Sequence, residues 1–243
     1  MSAIDVFEAE RVVHGVPQAV ISDRFDDLGK DGAPCRLGIM GGTFDPIHNG
    51  HLACAEQVRE AFHLDAIVFI PTGQPIFKRG KRIAPARERL AMCRAAVSDN
   101  PYFDVSALEV LREGDTYTID TLRILRKHYP ENVKLYFIAG ADAIASVSMW
   151  KDASKMGALA TFIGVDRPGY ELTDQQRQAI KESAKGITLS FITIEALAIS
   201  SSELRRRLET GLSIRYLTPQ VVVDHVMEHR FYNSEEAIHV QGS

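Results

Sequence analysis

Apolar residues cluster in short runs along the chain, at 37–40, 66–70, 103–108, 135–139, 161–165 and 188–194. Runs of that length, rich in Val, Ile, Leu and Phe, read as buried strands rather than helices. Between them the spacing changes to steps of three and four. In 50–62 it places Leu52, Ala55, Val58 and Phe62 on one stripe, the mark of a helix packed on a core. Further helices are predicted after Pro85, a residue favoured in a first helical turn, and at 118–127, 174–184, 201–209 and 219–229. Strands separated by helical crossovers predict an α/β fold, a Rossmann-like doubly wound and mainly parallel sheet with helices on both faces. Ligands of such sheets bind outside the carboxyl ends of the strands. Residues 35–243 read as one domain and 1–34 as an N-terminal extension. Within it, Asp26-Asp27-Leu28-Gly29-Lys30-Asp31-Gly32 has the composition of a flexible approach to the first strand.

Size and composition narrow the classes of function. A chain of 243 residues with 45% hydrophobic content is long enough to bury a full core. The formal net charge of -4 provides no field for a polymeric anion, which argues against nucleic acid as a partner. Cys35, Cys54 and Cys93 are odd in number, far apart and without a C-x-x-C, the pattern of reduced thiols. No run approaches the length of a membrane span, and 1–34 lacks an apolar core of signal-peptide length. The expectation is a cytoplasmic protein with no membrane partner.

Candidate chemistry concentrates after the first strand, where the chain reads Gly-Gly-Thr-Phe-Asp-Pro-Ile-His-Asn-Gly-His-Leu over 41–52. Neither G-x-G-x-x-G nor a Gly-Lys-Ser/Thr loop is present, so neither the dinucleotide fingerprint nor the Walker loop applies. Gly41 and Gly42 let backbone N–H groups approach an anion, and the helix that follows opens its positive end near Asn49. His48 and His51, three apart at that helix start, fall on one side of it. Gly50 between them, lacking a side chain, is expected to keep the space between the two rings open. Such a site suits transfer at a nucleotide phosphorus, where the protein positions reactants and neutralises developing charge. Zinc is the rival reading, since His48, His51 and Cys54 recur at three-residue steps. No second Cys/His cluster completes four ligands, and no metal residue is assigned.

A second segment, Ile199-Ser200-Ser201-Ser202-Glu203-Leu204-Arg205, has two readings. Ser200 with Glu203 fits a capping box, which needs no ligand. Hydroxyls of Ser201 and Ser202, first-turn N–H groups and the Arg205 guanidinium on the same side also make a phosphate clamp.

The first motif closely resembles that of the bacterial nicotinate-nucleotide adenylyltransferases, within the wider nucleotidyltransferases that carry His-x-Gly-His. The segment from Ile199 to Arg205 is similar to the family's second motif. Weaker matches lie between, at Tyr117-Thr118-Ile119-Asp120-Thr121-Leu122, at Gly140-Ala141-Asp142 with Trp150, and at Arg167-Pro168-Gly169-Tyr170. The loop ending Pro75-Ile76-Phe77-Lys78 departs from the family's Pro-Pro-His-Lys, so Lys78 is carried over and the histidine's role is not. The basic cluster Lys78, Arg79, Lys81 and Arg82 reads equally as a lid over phosphates and as a solvated turn.

The resemblance implies transfer of the adenylyl group of ATP to nicotinate mononucleotide, giving nicotinate adenine dinucleotide and pyrophosphate in NAD biosynthesis. It implies His48, His51 and Arg205 as catalytic residues. Gly41, Gly42, Thr43, Phe44, Ser200, Ser201 and Ser202 would bind ATP, and Lys78, Tyr117, Thr118, Asp142, Trp150 and Arg167 would bind nicotinate mononucleotide. Mg2+ would bridge the ATP phosphates and keep most of its waters. ATP and nicotinate mononucleotide are the expected partners, and a homo-oligomer is compatible with the sequence. Two alternatives stay open: a sister adenylyltransferase with another acceptor, such as nicotinamide mononucleotide, and a nucleotide-binding regulator without chemistry.

Overall fold

The computed structural model describes residues 11–13, 16–18, 21–74, 83–112, 114–166 and 172–232. A two-stranded antiparallel hairpin, β1 (Arg11–Val13) and β2 (Val16–Gln18), precedes the domain. Then follow β3 (Cys35–Gly42), α1 (Asn49–Ala61), β4 (Ala66–Pro71), α2 (Ala86–Val97), β5 (Phe103–Val105), α3 (Thr118–His128) and β6 (Val133–Gly140). After β6 come α4 (Ala141–Ile144), a 3-10 turn (Val147–Met149), α5 (Ala153–Met156) and β7 (Thr161–Asp166). The chain continues through α6 (Asp174–Ser183), β8 (Leu189–Thr193), α7 (Ser201–Glu209) and α8 (Gln220–His229).

Strands β3 to β8 form one sheet in the order β5-β4-β3-β6-β7-β8, parallel at every pairing. From β3 the chain steps outward to β4 and β5, then returns to lay β6 on the other side of β3. The reversal puts a crevice at the carboxyl ends of β3 and β6, the place where doubly wound sheets hold ligands. This is the α/β architecture that the alternation of apolar runs and helical spacing predicts.

Side-chain alternation explains why both faces are covered. On β4, Ile67 and Phe69 enter the core formed with α1, α2, α7 and α8, while Ala66, Val68 and Ile70 enter the opposite core with α3, α5 and α6. Burying a side chain such as Phe69, fully inaccessible, contributes about 1.5–3 kcal/mol. On β3 a Cβ at Gly38 would lie 2.9 Å from both Ile67 and Leu64, so only glycine lets this central strand sit under α1 and its following turn.

Several boundaries differ from the sequence expectation for local reasons. Pro85 takes the N-cap position of α2 rather than its first turn, with Glu88 and Arg89 N–H groups both donating to its carbonyl. Helix α3 begins at Thr118 as the spacing predicts, with Tyr117 as its N-cap, and runs one residue further, to His128. The short elements α4, α5 and the 3-10 turn have too few residues to show a period. Residues 21–34 are anchored rather than loose. Ile21 is buried, Ser22 Oγ donates to Asp104 at 2.5 Å, and Arg24 donates to the carbonyls of Ser98, Asn100 and Phe103. Asn132 holds the carbonyls of Gly29 and Ala33, which closes the supposed flexible approach onto the start of β6.

The cysteines form no disulfide. Burial, with Asp65 adding to it, pushes the Cys35 thiol up to about 11, and burial pushes Cys93 up as well, so both stay protonated. No helix among the described residues is long and apolar enough to cross a membrane.

Candidate active site

Where β3 ends, the backbone turns sharply out of the sheet. Phe44 adopts a left-handed conformation, φ 50°, and its ring folds back so that a Cβ on Gly42 would lie 2.8 Å from it. Glycine at 42 is therefore a packing requirement of Phe44. The chain passes through a cis Asp45–Pro46 bond and enters α1 with His48 as the N-cap residue. His48 is buried and His51 is half-buried. Their imidazoles stack at 3.6 Å with 21° between planes, and the His48 backbone N–H donates to His51 Nδ1 at 3.2 Å. The edge of the Phe44 ring meets His51 at 5.1 Å.

This geometry corrects the expected role of Gly50. The space between the two rings is closed by stacking. A Cβ on Gly50 would sit 3.1 Å from His48 Nδ1, so glycine there makes room for the His48 ring itself. Among the described residues, the ligand atoms of His48, His51 and Cys54 do not all lie within 4.8 Å of one another.

The serine-arginine segment meets the same loop. Ser201 Oγ donates to the Pro46 carbonyl at 2.9 Å, and Arg205 Nη1 donates to the Asp45 carbonyl at 2.7 Å, with the Asp45 carboxylate 3.4 Å away. Arg205 Nη2 also donates to Ser202 Oγ at 3.2 Å. Ser200 caps α7 by accepting from the Glu203 N–H, but the Glu203 carboxylate grips Arg206 instead of closing a capping box. Ser201 and Arg205 thus tie the start of α7 to the Asp45–Pro46 loop, with Ser202 held against the Arg205 guanidinium. Thr218 Oγ1 donates to the Ile47 carbonyl and Leu217 accepts from the Asn49 N–H, which brings the start of α8 onto the motif too.

The crevice itself is small and opens to solvent, with a cavity volume of about 50 Å3. His48, Gly50 and His51 line one side, Ile138 to Gly140 at the end of β6 line the floor, and Val165, Ile194 and Ile199 complete the apolar wall. Both imidazoles of the motif thus face a partly apolar crevice at the carboxyl ends of β3 and β6, the edge of the sheet where such folds hold ligands.

Three residues that sequence reasoning did not single out hold this arrangement. Asp45 is buried, and its Oδ1 accepts from the Ala84 N–H at 3.0 Å and from the Tyr232 hydroxyl at 2.6 Å. Burial and the neighbouring carboxylate push the Tyr232 phenol up, so it remains a donor. Arg89, only 1% exposed, donates to the carbonyls of Thr43 at 2.7 Å, Thr72 at 2.7 Å, Gly73 at 3.0 Å and Ala84 at 3.1 Å. One guanidinium therefore fastens the loop after β3 to the loop after β4 and the entry to α2. The signal was available: Arg89 precedes buried Cys93 and Ala96 by four and seven residues, the spacing of a core stripe.

Residues 39–207 match the family model described as cytidylyltransferase-like. Over 200 residues the chain is 48% identical to the "Probable nicotinate-nucleotide adenylyltransferase" of Mycolicibacterium vanbaalenii, covering 82% of this chain and 93% of the relative. It is 46% identical over 200 residues to the protein of the same name from Corynebacterium glutamicum, covering 82% and 89%. The chain belongs to the nicotinate-nucleotide adenylyltransferase family. Among solved structures, Plasmodium falciparum nicotinic acid mononucleotide adenylyltransferase complexed with APC has a TM-score of 0.66 at 20% identity, over 82% of this chain and 97% of that one. The same enzyme complexed with NaAD has a TM-score of 0.65 at 20% identity, and at this identity the likeness is one of fold.

Of the residues that the adenylyltransferase resemblance carries for the acceptor, four lie within the described part. The turn at the start of α3 and the turn after the 3-10 element meet: Lys151 Nζ sits 4.2 Å over the Tyr117 ring and 3.0 Å from Asp120. Arg123 bridges Asp120 and Asp152 at 3.2 and 2.9 Å. These contacts bring the start of α3, with Tyr117 and Thr118, against the turn that follows Trp150. Trp150 is half-buried, its ring set edge-on to Phe137 at 6.1 Å and Phe162 at 6.4 Å. Asp142 is exposed on α4, its carboxylate folded over Gly140, where a Cβ would come within 2.5 Å of it. Lys78 and Arg167 lie outside the described residues, as do Phe77, the basic cluster and Pro168 to Tyr170.

Behind α3, Glu109 is 8% exposed and accepts from Thr121 Oγ1 at 2.6 Å. Burial pushes its carboxyl from 4.5 up to about 7, against the opposing pull of Thr121 and Arg112. Because the value is raised on folding, the linked stability is fully present below pH 4.5 and is lost as pH rises through 7. Between pH 4 and pH 8 the stability of Glu109→Gln relative to the wild type should rise by about 3 kcal/mol. Denaturant unfolding at both pH values checks this, and an identical pH dependence in the two proteins would contradict it.

Proposed function

We propose that this chain transfers the adenylyl group of ATP to nicotinate mononucleotide, releasing pyrophosphate and forming nicotinate adenine dinucleotide. The observation that carries the proposal is the meeting of two segments about 150 residues apart, the stacked His48 and His51 and the Ser202-Arg205 turn, on the single loop Asp45–Pro46 at the sheet's switch point. The phosphate oxygen of the acceptor attacks the α-phosphorus in line, and no covalent enzyme intermediate is required. His48 and His51 donate to α- and β-phosphate oxygens as charge moves to the leaving group. Arg205 and Ser202 hold the β- and γ-phosphates, and the N–H groups that Gly41 and Gly42 leave open, with Thr43 and Phe44, line the nucleotide. Two of Arg205's donors are engaged by Asp45 and Ser202, which fixes the plane of the guanidinium and leaves others for phosphate.

Magnesium fits this donor set as a companion of the triphosphate. The Asp45 carboxylate is engaged by Ala84, Tyr232 and Arg205, so no side chain is assigned to the ion, which the triphosphate itself would hold. When bound it supplies positive charge across the phosphates.

On the acceptor side, Tyr117 and Thr118 place the amino end of α3 towards the pyridine ring, and the Trp150 face stacks on it. Helix N–H groups at that end favour a ring carboxylate over a neutral amide, which supports nicotinate rather than nicotinamide mononucleotide as acceptor. Asp142 accepts from ribose hydroxyls, and Lys78 and Arg167 carry the acceptor phosphate by resemblance. One assay tests the reading: ATP with each mononucleotide in turn, following pyrophosphate. Fast release with nicotinate mononucleotide and slower release with the amide is expected. Faster release with the amide would overturn the acceptor, and ATP binding without release for either would favour a regulator.

A further inference from the structure

Helix α8 packs on α2 at a place that the transfer reaction does not use. His225 and His229, four residues apart, occupy one face of α8, and Glu88 stands opposite in the first turn of α2. His225 Nε2 lies 2.9 Å from Glu88 Oε2, and the two imidazoles stack at 4.3 Å with 27° between planes. One ligand atom from each of the three residues falls within 4.8 Å of the other two. His229 Nδ1 is 3.0 Å from the His225 carbonyl oxygen. That contact requires an N–H on Nδ1 and leaves Nε2 with its lone pair, the arrangement that orients a metal-ligating imidazole. Phe231 stacks on His229 at 5.2 Å and walls one side.

We propose that Glu88, His225 and His229 form a binding site for one borderline divalent cation of the zinc class. Two imidazoles and one carboxylate are the donors such ions prefer, whereas magnesium and calcium take oxygen alone. Tetrahedral ligands at zinc distances stand about 3.3 Å apart, so the three groups need a modest contraction. His229 is exposed, and the Glu88 and His225 side chains are 29% and 20% exposed, which gives the ion a path from solvent. Water fills the remaining position. The ion takes His225 as the neutral imidazole with its proton on Nδ1 and Glu88 as the carboxylate, and any further proton on this pair is released to solvent. The ion would clip α8 to α2 next to Arg89 and upstream of Tyr232, the two residues that secure the Asp45 loop from behind.

The test is independent of the transfer reaction. Untagged full-length chain, stripped with chelator and dialysed, is titrated with zinc chloride by calorimetry, and its melting temperature is followed with and without zinc. The expected result is one zinc per chain, a higher melting temperature with zinc, and affinity lowered by about a hundredfold or more in His229→Ala and in the double variant with Glu88→Gln. Both variants change exposed or half-exposed side chains, and without zinc both should melt cooperatively. The proposal is overturned if no stoichiometric zinc binds, or if the double variant binds zinc as tightly as the wild type.

Discussion

Replacing His51 by alanine is expected to lower turnover by about a hundredfold to a thousandfold, or roughly 3–4 kcal/mol of transition-state stabilisation. The reason is positional. His51 is set in place by the His48 backbone N–H, by stacking on His48 and by the edge of Phe44, so its ring is already oriented before substrate arrives. Its contribution to the fold is small by comparison, because the ring is half-buried and the loop is secured elsewhere. The variant should melt close to the wild type and still bind the acceptor, with the loss confined to kcat. Steady-state kinetics with pyrophosphate detection, alongside a melting curve, checks both halves. Near-normal turnover would remove His51 from the chemistry. The matching His48→Ala change is less diagnostic, since His48 is 4% exposed and its loss opens a void at the helix start.

The second large effect falls on stability. Arg89→Met should destabilise the protein by about 3–5 kcal/mol, read as a lowered denaturant midpoint at unchanged m-value. Burial opposes the charge on Arg89, with the Asp45 carboxylate as its chief electrostatic compensation. The side chain is nevertheless retained against that penalty, with four carbonyl oxygens on three loops sharing its donors. Methionine keeps the length and apolar stem but leaves those carbonyls dry and unpaired, and leaves the Asp45 carboxylate facing Arg205 alone. Lysine should rescue little, because a point-like ammonium cannot span three loops as a planar fork does. A loss below about 1 kcal/mol would show that the loops are held by other contacts.

These two residues mark what could be read from the chain alone. His48 and His51 sit where strand periodicity ends and helix periodicity begins, with glycine and proline as punctuation, so the sequence is locally explicit about them. The six strands of the parallel sheet were equally legible as apolar runs, β4 being buried along its whole length and β3 from Leu37 to Met40. Arg89 was not read because charged residues in a helix are ordinarily solvated, and Arg87 and Glu88 beside it reinforce that impression. Asp45 before a proline looks like turn chemistry, and Tyr232 follows the last helix with no pattern around it. Their importance arises only when residues 45, 84, 89, 205 and 232 converge in space. The anchoring of residues 21–34 was hidden for the same reason: glycine and aspartate signal a turn, but the groups that hold it, Asp104 and Asn132, are far along the chain.

The crystal structure of the chain with a non-hydrolysable ATP analogue tests the central claim most directly, that the imidazole pair and the serine-arginine turn act on one triphosphate. The account predicts an α-phosphate oxygen within about 3.2 Å of a ring nitrogen of His48 or His51, and a β- or γ-phosphate oxygen within about the same distance of the Arg205 guanidinium. A triphosphate in contact with only one of the two segments, or lying along another edge of the sheet, would contradict it.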